Sequence, residues 1–274
     1  MTWIDVLPER RRRGSYPRCL LLMEGNKRTV ARRLTELIAL EDVQIPDDAI
    51  WMPRGIPYQK EDGSWDFSPA NEAKLSKSEG FLTLEQKEQA LDWWLEVILN
   101  ANTPNWDVAS TCRIDGKPGL LLIEAKAHSA ELSAAVKTPP SSPNGEKNDC
   151  RIRAAISEAN DALNRILPGW RLSCDSHYQI SNRFAWAWKL TSLGIPVVLI
   201  YLGFIQATEM ADRGKPFMDG KSWEETVLKH SRGIAPSPVW DSLVCIDNTS
   251  MQCCIRSIHI PFPNEKPGES YDTN

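Results

Sequence analysis

An acid followed two positions later by a lysine occurs five times in this chain: Glu72–Lys74, Glu85–Lys87, Asp115–Lys117, Glu124–Lys126 and Asp219–Lys221. Four of these have ordinary settings: a polar segment, a helix and two Gly-containing turns. Glu124–Lys126 differs, because it interrupts the apolar run "GLLLIEAKAH" at 119–128. Side chains alternate along a strand, so Glu124, Lys126 and His128 project from one face. Burying charges costs several kcal/mol unless they are paired or bind an ion. A second acid, Asp107, opens "DVASTCRI" on the preceding strand. Two carboxylates converging with a lysine can hold a divalent cation beside a phosphoester. Carboxylate oxygens suit Mg²⁺, and a bound cation acidifies water and neutralises charge on phosphorus oxygens. A lysine can steady the attacking water or the transition-state charge. The plainer account is a strand edge whose Glu and Lys pair in solvent.

The elements needed to position these residues are legible around them. "WDVASTCRI" (106–114) and "GLLLIEAKA" (119–127) flank the turn-prone "DGKP", which predicts a hairpin with Asp107 and Glu124 at its open end. A helix is expected at about 83–99, with Thr83 and Gln86 in a capping-box pattern and Leu84, Leu91, Trp94, Leu95 and Ile98 on one face. Further helices are expected at 29–42, 150–167, 176–193 and 222–230, and strands at 197–204 and 253–260. The segment 45–80 reads as irregular, 137–149 as a mobile loop and 261–274 as a polar tail. The central order of helix, strand, strand, helix, strand predicts an α/β fold with a mixed sheet.

Composition narrows the class. At 42% hydrophobic and 25% charged, the chain is that of a soluble globular protein. Its longest apolar stretch, 195–205, is too short for a bilayer, so no membrane association is expected. Seven cysteines without a CxxC pair read as reduced thiols of a cytoplasmic protein. Residues 1–33 carry nine Lys/Arg against three acids, a net +6 that leaves −10 on the remainder. Such a block suits either a phosphate backbone or a solubilising arm. No GxGxxG, P-loop, GxSxG or HExxH is present.

The arrangement Asp107…Glu124-Ala125-Lys126 on a hairpin, preceded by a helix and followed by a helix and a buried strand, resembles the PD-(D/E)xK nuclease superfamily. The resemblance covers roughly 81–205 and implies a restriction-endonuclease-like fold, with a central mixed sheet flanked by helices. It divides the chain into an N-terminal extension (1–80), a nuclease-like core (81–208) and a C-terminal addition (209–274). It implies that Asp107 and Glu124 bind Mg²⁺ (or Mn²⁺) and that Lys126 assists hydrolysis of DNA in restriction, repair or defence, with a homodimer as one expected assembly. Many members add a Glu from the first core helix, for which Glu88 is the candidate. Some carry a Gln on the helix after the lysine motif, which points to Gln179. Arg183 and Asn182 on that helix, and His128 on the strand, are candidates for contacting the nucleic acid. Two features depart from the family pattern. Trp106 stands where the family name has Pro, and no strand is visible in 100–105. A non-catalytic module of the same fold, gripping nucleic acid or a protein, is the alternative.

Overall fold

The computed structural model describes residues 2–99, 101–240 and 242–262. Among the described residues there are six α-helices and nine strands. α1 (Ser15–Leu22) and α2 (Lys27–Ile38) come first, followed by the short strands β1 (Val43–Gln44), β2 (Trp51–Met52), β3 (Tyr58–Gln59) and β4 (Trp65–Asp66). The centre comprises α3 (Leu84–Trp94), β5 (Val108–Ile114), β6 (Lys117–Lys126), α4 (Pro143–Ile166), α5 (Tyr178–Ser192) and β7 (Val197–Phe204). α6 (Gly220–Ser231), β8 (Leu243–Ile246) and β9 (Thr249–Ile258) complete the set.

The main sheet runs β1-β5-β6-β7-β9-β8, with β2 also pairing to β5. β6, β7 and β9 are mutually parallel, and the outer pairings are antiparallel. The sheet is therefore mixed and flanked by helices, which matches the expected class. The β5–β6 hairpin turns on Asp115 and Gly116, both with positive φ (50° and 73°). That geometry suits the twist of the two strands and is what Asp-Gly supplies.

Every residue of β7 is buried, as is β6 from Gly119 to Lys126. Alternation along β6 sorts the two cores. Leu120 and Leu122 pack with α3, α4 and α5 residues such as Trp94, Ile156 and Phe184. Leu121, Ile123, Ala125 and Ala127 pack on the other face with Leu22, Val30 and Leu34 of α1 and α2. Glu124 and Lys126 share the parity of Leu120 and Leu122, so they point to the face covered by α5.

Some elements differ from expectation for identifiable reasons. α3 carries the capping box at Thr83 and Gln86 but stops at Trp94, because Leu95 turns extended. Leu84 is 81% exposed, so it does not mark the buried face, which is Ala90, Trp93 and Trp94. α4 begins seven residues early: the Ser142 side chain accepts from Gly145 N and Pro143 sits in the first turn, so 143–149 is helical and not a loop. Among the described residues 101–105 no strand forms. Instead β1 and β2, from far upstream, pair with β5, and Ala73 bridges Trp106. The basic N-terminal block is folded. Arg18 is fully buried and paired with Glu209, Arg13 pairs with Asp212 at 2.7 Å, and Arg33 donates to the carbonyls of Leu21 and Glu24 at the end of α1. Only residues 261 and 262 of the expected tail are described; 263–274 lie outside.

Candidate functional site

The site gathers at the C-terminal ends of β6 and β7, the end of a parallel strand pair where ligands of open α/β sheets characteristically bind. The β5–β6 register pairs Val108 with Ile123. Continuing that register by one step would place Asp107, which lies in a bend just before β5, opposite Glu124. Asp107 Oδ2 accepts the backbone N–H of Ala125 at 2.7 Å, which fixes the carboxylate against the strand. Oδ1 takes no hydrogen bond from the described residues.

Glu124 is 1% exposed and hydrogen-bonded at both oxygens. Its Oε1 accepts from Lys126 Nζ and from Gln179 Nε2 (2.8 Å), and its Oε2 from Arg183 Nε (2.5 Å). Gln179 and Arg183 are four residues apart on α5, one above the other on the same face. The rest of the Arg183 fork is also committed. It donates to Asn182 Oδ1 (2.9 Å) and to the carbonyl of Asn105 (2.7 Å), and the guanidinium lies 4.6 Å over the Trp106 ring. The structure thus brings Asp107, Glu124, Lys126, Gln179, Asn182 and Arg183 together from three parts of the chain.

Charge follows this geometry. Burial and the facing Glu124 push the Asp107 carboxyl up to about 7, against the pull of Lys126, the Ala125 N–H and Arg183. Burial alone would raise Glu124, but Arg183 and Lys126 outweigh it and hold the carboxyl below its ordinary value. Lys126 is opposed by its own burial and yet raised, because Glu124 and Asp107 favour the ammonium.

Two expected members stand elsewhere. Glu88 is exposed on α3 and does not reach this cluster, since the face of α3 that turns inward carries Trp94. His128 is buried beneath the 214–216 segment. It bridges Pro216 through its backbone, and its Nδ1 lies so close to Gly214 that a Cβ there would approach to 2.4 Å. It does not line the cavity beside the site.

That cavity, of about 520 Å³, is walled by Asn105, Glu131, Tyr178, Gln179, Asn182 and Arg183, with Trp94 of α3. Two acids near the site carry no signal in the sequence. Glu131 accepts from the N–H groups of Ala127 and His128 and from Ser15 Oγ (3.0 Å), closing the end of β6. Glu72 accepts from Asn105 Nδ2 at 2.9 Å. Burial first, and then the charges of Asp107, Glu72, Glu131 and Glu124, push the thiol of Cys19 well up. Among the described residues no group of three or more His, Cys, Asp or Glu is disposed to hold a metal ion. No described helix is long and apolar enough to cross a membrane.

Comparison of this chain with protein-family models, with curated proteins and with solved structures returns no match in any of the three.

Proposed function

We propose that this chain is a Mg²⁺-dependent nuclease that hydrolyses phosphodiester bonds of DNA, with a restriction-endonuclease-like core of the PD-(D/E)xK type. The observation that carries the reading is a cluster. Asp107 is held by the Ala125 N–H beside Glu124 and Lys126, and the Gln179 and Arg183 that grip Glu124 line the adjoining cavity. The donor set fits a hard cation. Asp107 Oδ1 is open, Glu124 Oε2 keeps a second lone pair, and Mg²⁺ takes few protein ligands and keeps several waters. Asp107 and Glu124 would hold it, without Glu88. Bound there, the cation supplies positive charge against the phosphate oxygens and acidifies a water for in-line attack.

The chain's own residues do the rest. Gln179 and Arg183 fix the rotamer of Glu124, while the Ala125 N–H fixes Asp107. Lys126, held against Glu124, presents its ammonium where an attacking water or a phosphoryl oxygen would lie. Asn182 and Tyr178 line the approach. A second copy of the chain would supply a second cut on duplex DNA, so a homodimer goes with this reading, as does a cytoplasmic location.

The test is cleavage of circular duplex and circular single-stranded DNA in Mg²⁺ or Mn²⁺, comparing wild type with Asp107→Ala and Lys126→Ala. Cutting by wild type alone is expected. Equal cutting by either variant would overturn the assignment. One observation favours a second reading, a non-catalytic module that grips nucleic acid: both oxygens of Glu124 are already bound within the protein. On that reading wild type binds DNA and cuts none.

A further inference from the structure

A second cavity, of about 400 Å³, adjoins the first across Asn105, which lines both. Its other walls include Arg11, Asn71, Glu72, Lys74 and Lys77. We propose that this cavity binds an internal phosphate of the nucleic-acid strand, next along from the phosphate at the Asp107–Glu124–Lys126 cluster. The proposal rests on the nuclease reading of that cluster and deepens it.

The cations arrive from two distant parts of the sequence and are held by tertiary contacts. Arg11 ends a 3-10 turn (Glu9–Arg11), and its guanidinium stacks 4.3 Å over the ring of Tyr16. Tyr16 is itself anchored, its hydroxyl donating to the Ala70 carbonyl at 2.7 Å. Glu72 faces Arg11 at 3.5 Å and accepts from Asn105 at 2.9 Å, so its charge is spent on orienting those two groups. Lys74 and Lys77 have no acidic partner among the described residues; Lys74 Nζ has only the amide oxygen of Asn102 at 3.4 Å. With Glu72 set against Arg11, the two lysines leave the cavity at net +2. A net positive, polar hollow suits a phosphodiester.

Position supports the same occupant. Asn105 precedes Asp107 by two residues, so it lies no more than about 7 Å away along the chain. Its carbonyl is tied to Arg183, which is tied to Glu124. The cation cluster and the carboxylate cluster are therefore the two sides of one short rigid segment, a separation suited to neighbouring phosphates of one strand.

The experiment measures binding of circular single-stranded and circular duplex DNA across a salt series, with EDTA present to prevent cutting. It compares wild type with Lys74→Ala/Lys77→Ala and with Lys77→Ala alone. Each lost phosphate contact lowers the slope of log affinity against log salt by about 0.7 on a single strand and about 0.9 on a duplex. With one phosphate in the cavity, the double variant should lose about 0.7 on a single strand or about 0.9 on a duplex, and Lys77→Ala part of that. Lys77 is exposed, so the single variant tests the proposal without threatening the fold. Unchanged slopes in both variants, with wild type binding and cutting normally, would overturn the cavity and leave the catalytic reading standing. A wild type that binds neither DNA form would overturn both. In a further arm, a loss confined to linear DNA bearing a 5′-phosphate would overturn the internal-phosphate assignment in favour of an end-binding site.

Discussion

Asp107→Asn is the substitution that tests the electrostatics of the site most directly. The amide keeps an oxygen where Oδ2 accepts the Ala125 N–H, so packing and that hydrogen bond persist while the titration is removed. In the folded protein the Asp107 carboxyl is raised from 3.8 to about 7. The folded state therefore binds more protons than the unfolded state between those values, and stability falls as pH rises through that window. The contribution of Asp107 is fully present below about pH 4 and is lost by about pH 7. At about 1.36 kcal/mol per pH unit, the ceiling on that loss is about 4 kcal/mol. Asp107 is only half-buried, and water at its open oxygen reduces the working value to about 2–3 kcal/mol. Urea unfolding of both proteins at half-unit steps from pH 5 to pH 8 measures the difference. Asp107→Asn should gain on wild type steadily to about pH 7 and then hold a constant lead. Mg²⁺ at pH 8 should stabilise wild type by mass action and leave the variant unmoved. A difference between the two proteins that stays flat across the whole range would refute the reasoning, because it would mean that Asp107 ionises in the fold as it does in water.

Two further perturbations probe the support of the site. Arg183→Met should destabilise the protein by about 3 kcal/mol in urea unfolding, since it strips Glu124 of one of two cations in a buried cluster. Adding Glu124→Gln to that variant should recover part of the loss, and strict additivity of the two single effects would count against the pairing. Gly203 lies beside Lys126 in the β6–β7 register, and a Cβ there would come within 2.4 Å of the Trp223 ring. Gly203→Ala should therefore cost about 1–3 kcal/mol and lower the thermal midpoint, as α6 is pushed off the sheet.

What could be read from the sequence divides along physical lines. The hairpin, the buried strands and the facing of Asp107 and Glu124 follow from period-2 alternation and an Asp-Gly turn, which are local signals. Gln179 and Arg183 were legible as a helical pair, yet not as the clamp on Glu124. An arginine on a helix gives no sign of whether its fork turns to solvent or inward. Glu88 was misplaced because Leu84, taken as marking the inner face of α3, sits in the helix's first turn and stays in water. Glu72 and Glu131 were invisible for a different reason: their placement depends on Ala73 meeting Trp106 and on the chain folding back after Lys126. Both are long-range or irregular contacts without a periodic signature. The same holds for the two edge strands on β5, each two residues long and so too short to carry a pattern.

The order of strands has a consequence for how the chain is made. β7, apolar along its whole length, is flanked by β6 and β9, and β9 spans Thr249–Ile258. During synthesis, β7 leaves the ribosome about fifty residues ahead of the strand that covers its second edge. Through that interval a nascent chain carries an unpaired, hydrophobic parallel edge of eight residues, the kind of surface that recruits another copy or a chaperone. The nascent chain is thus at its most adhesive in the interval before β9 emerges. Slow translation across 205–248 would lengthen that exposure, and fast translation would shorten it.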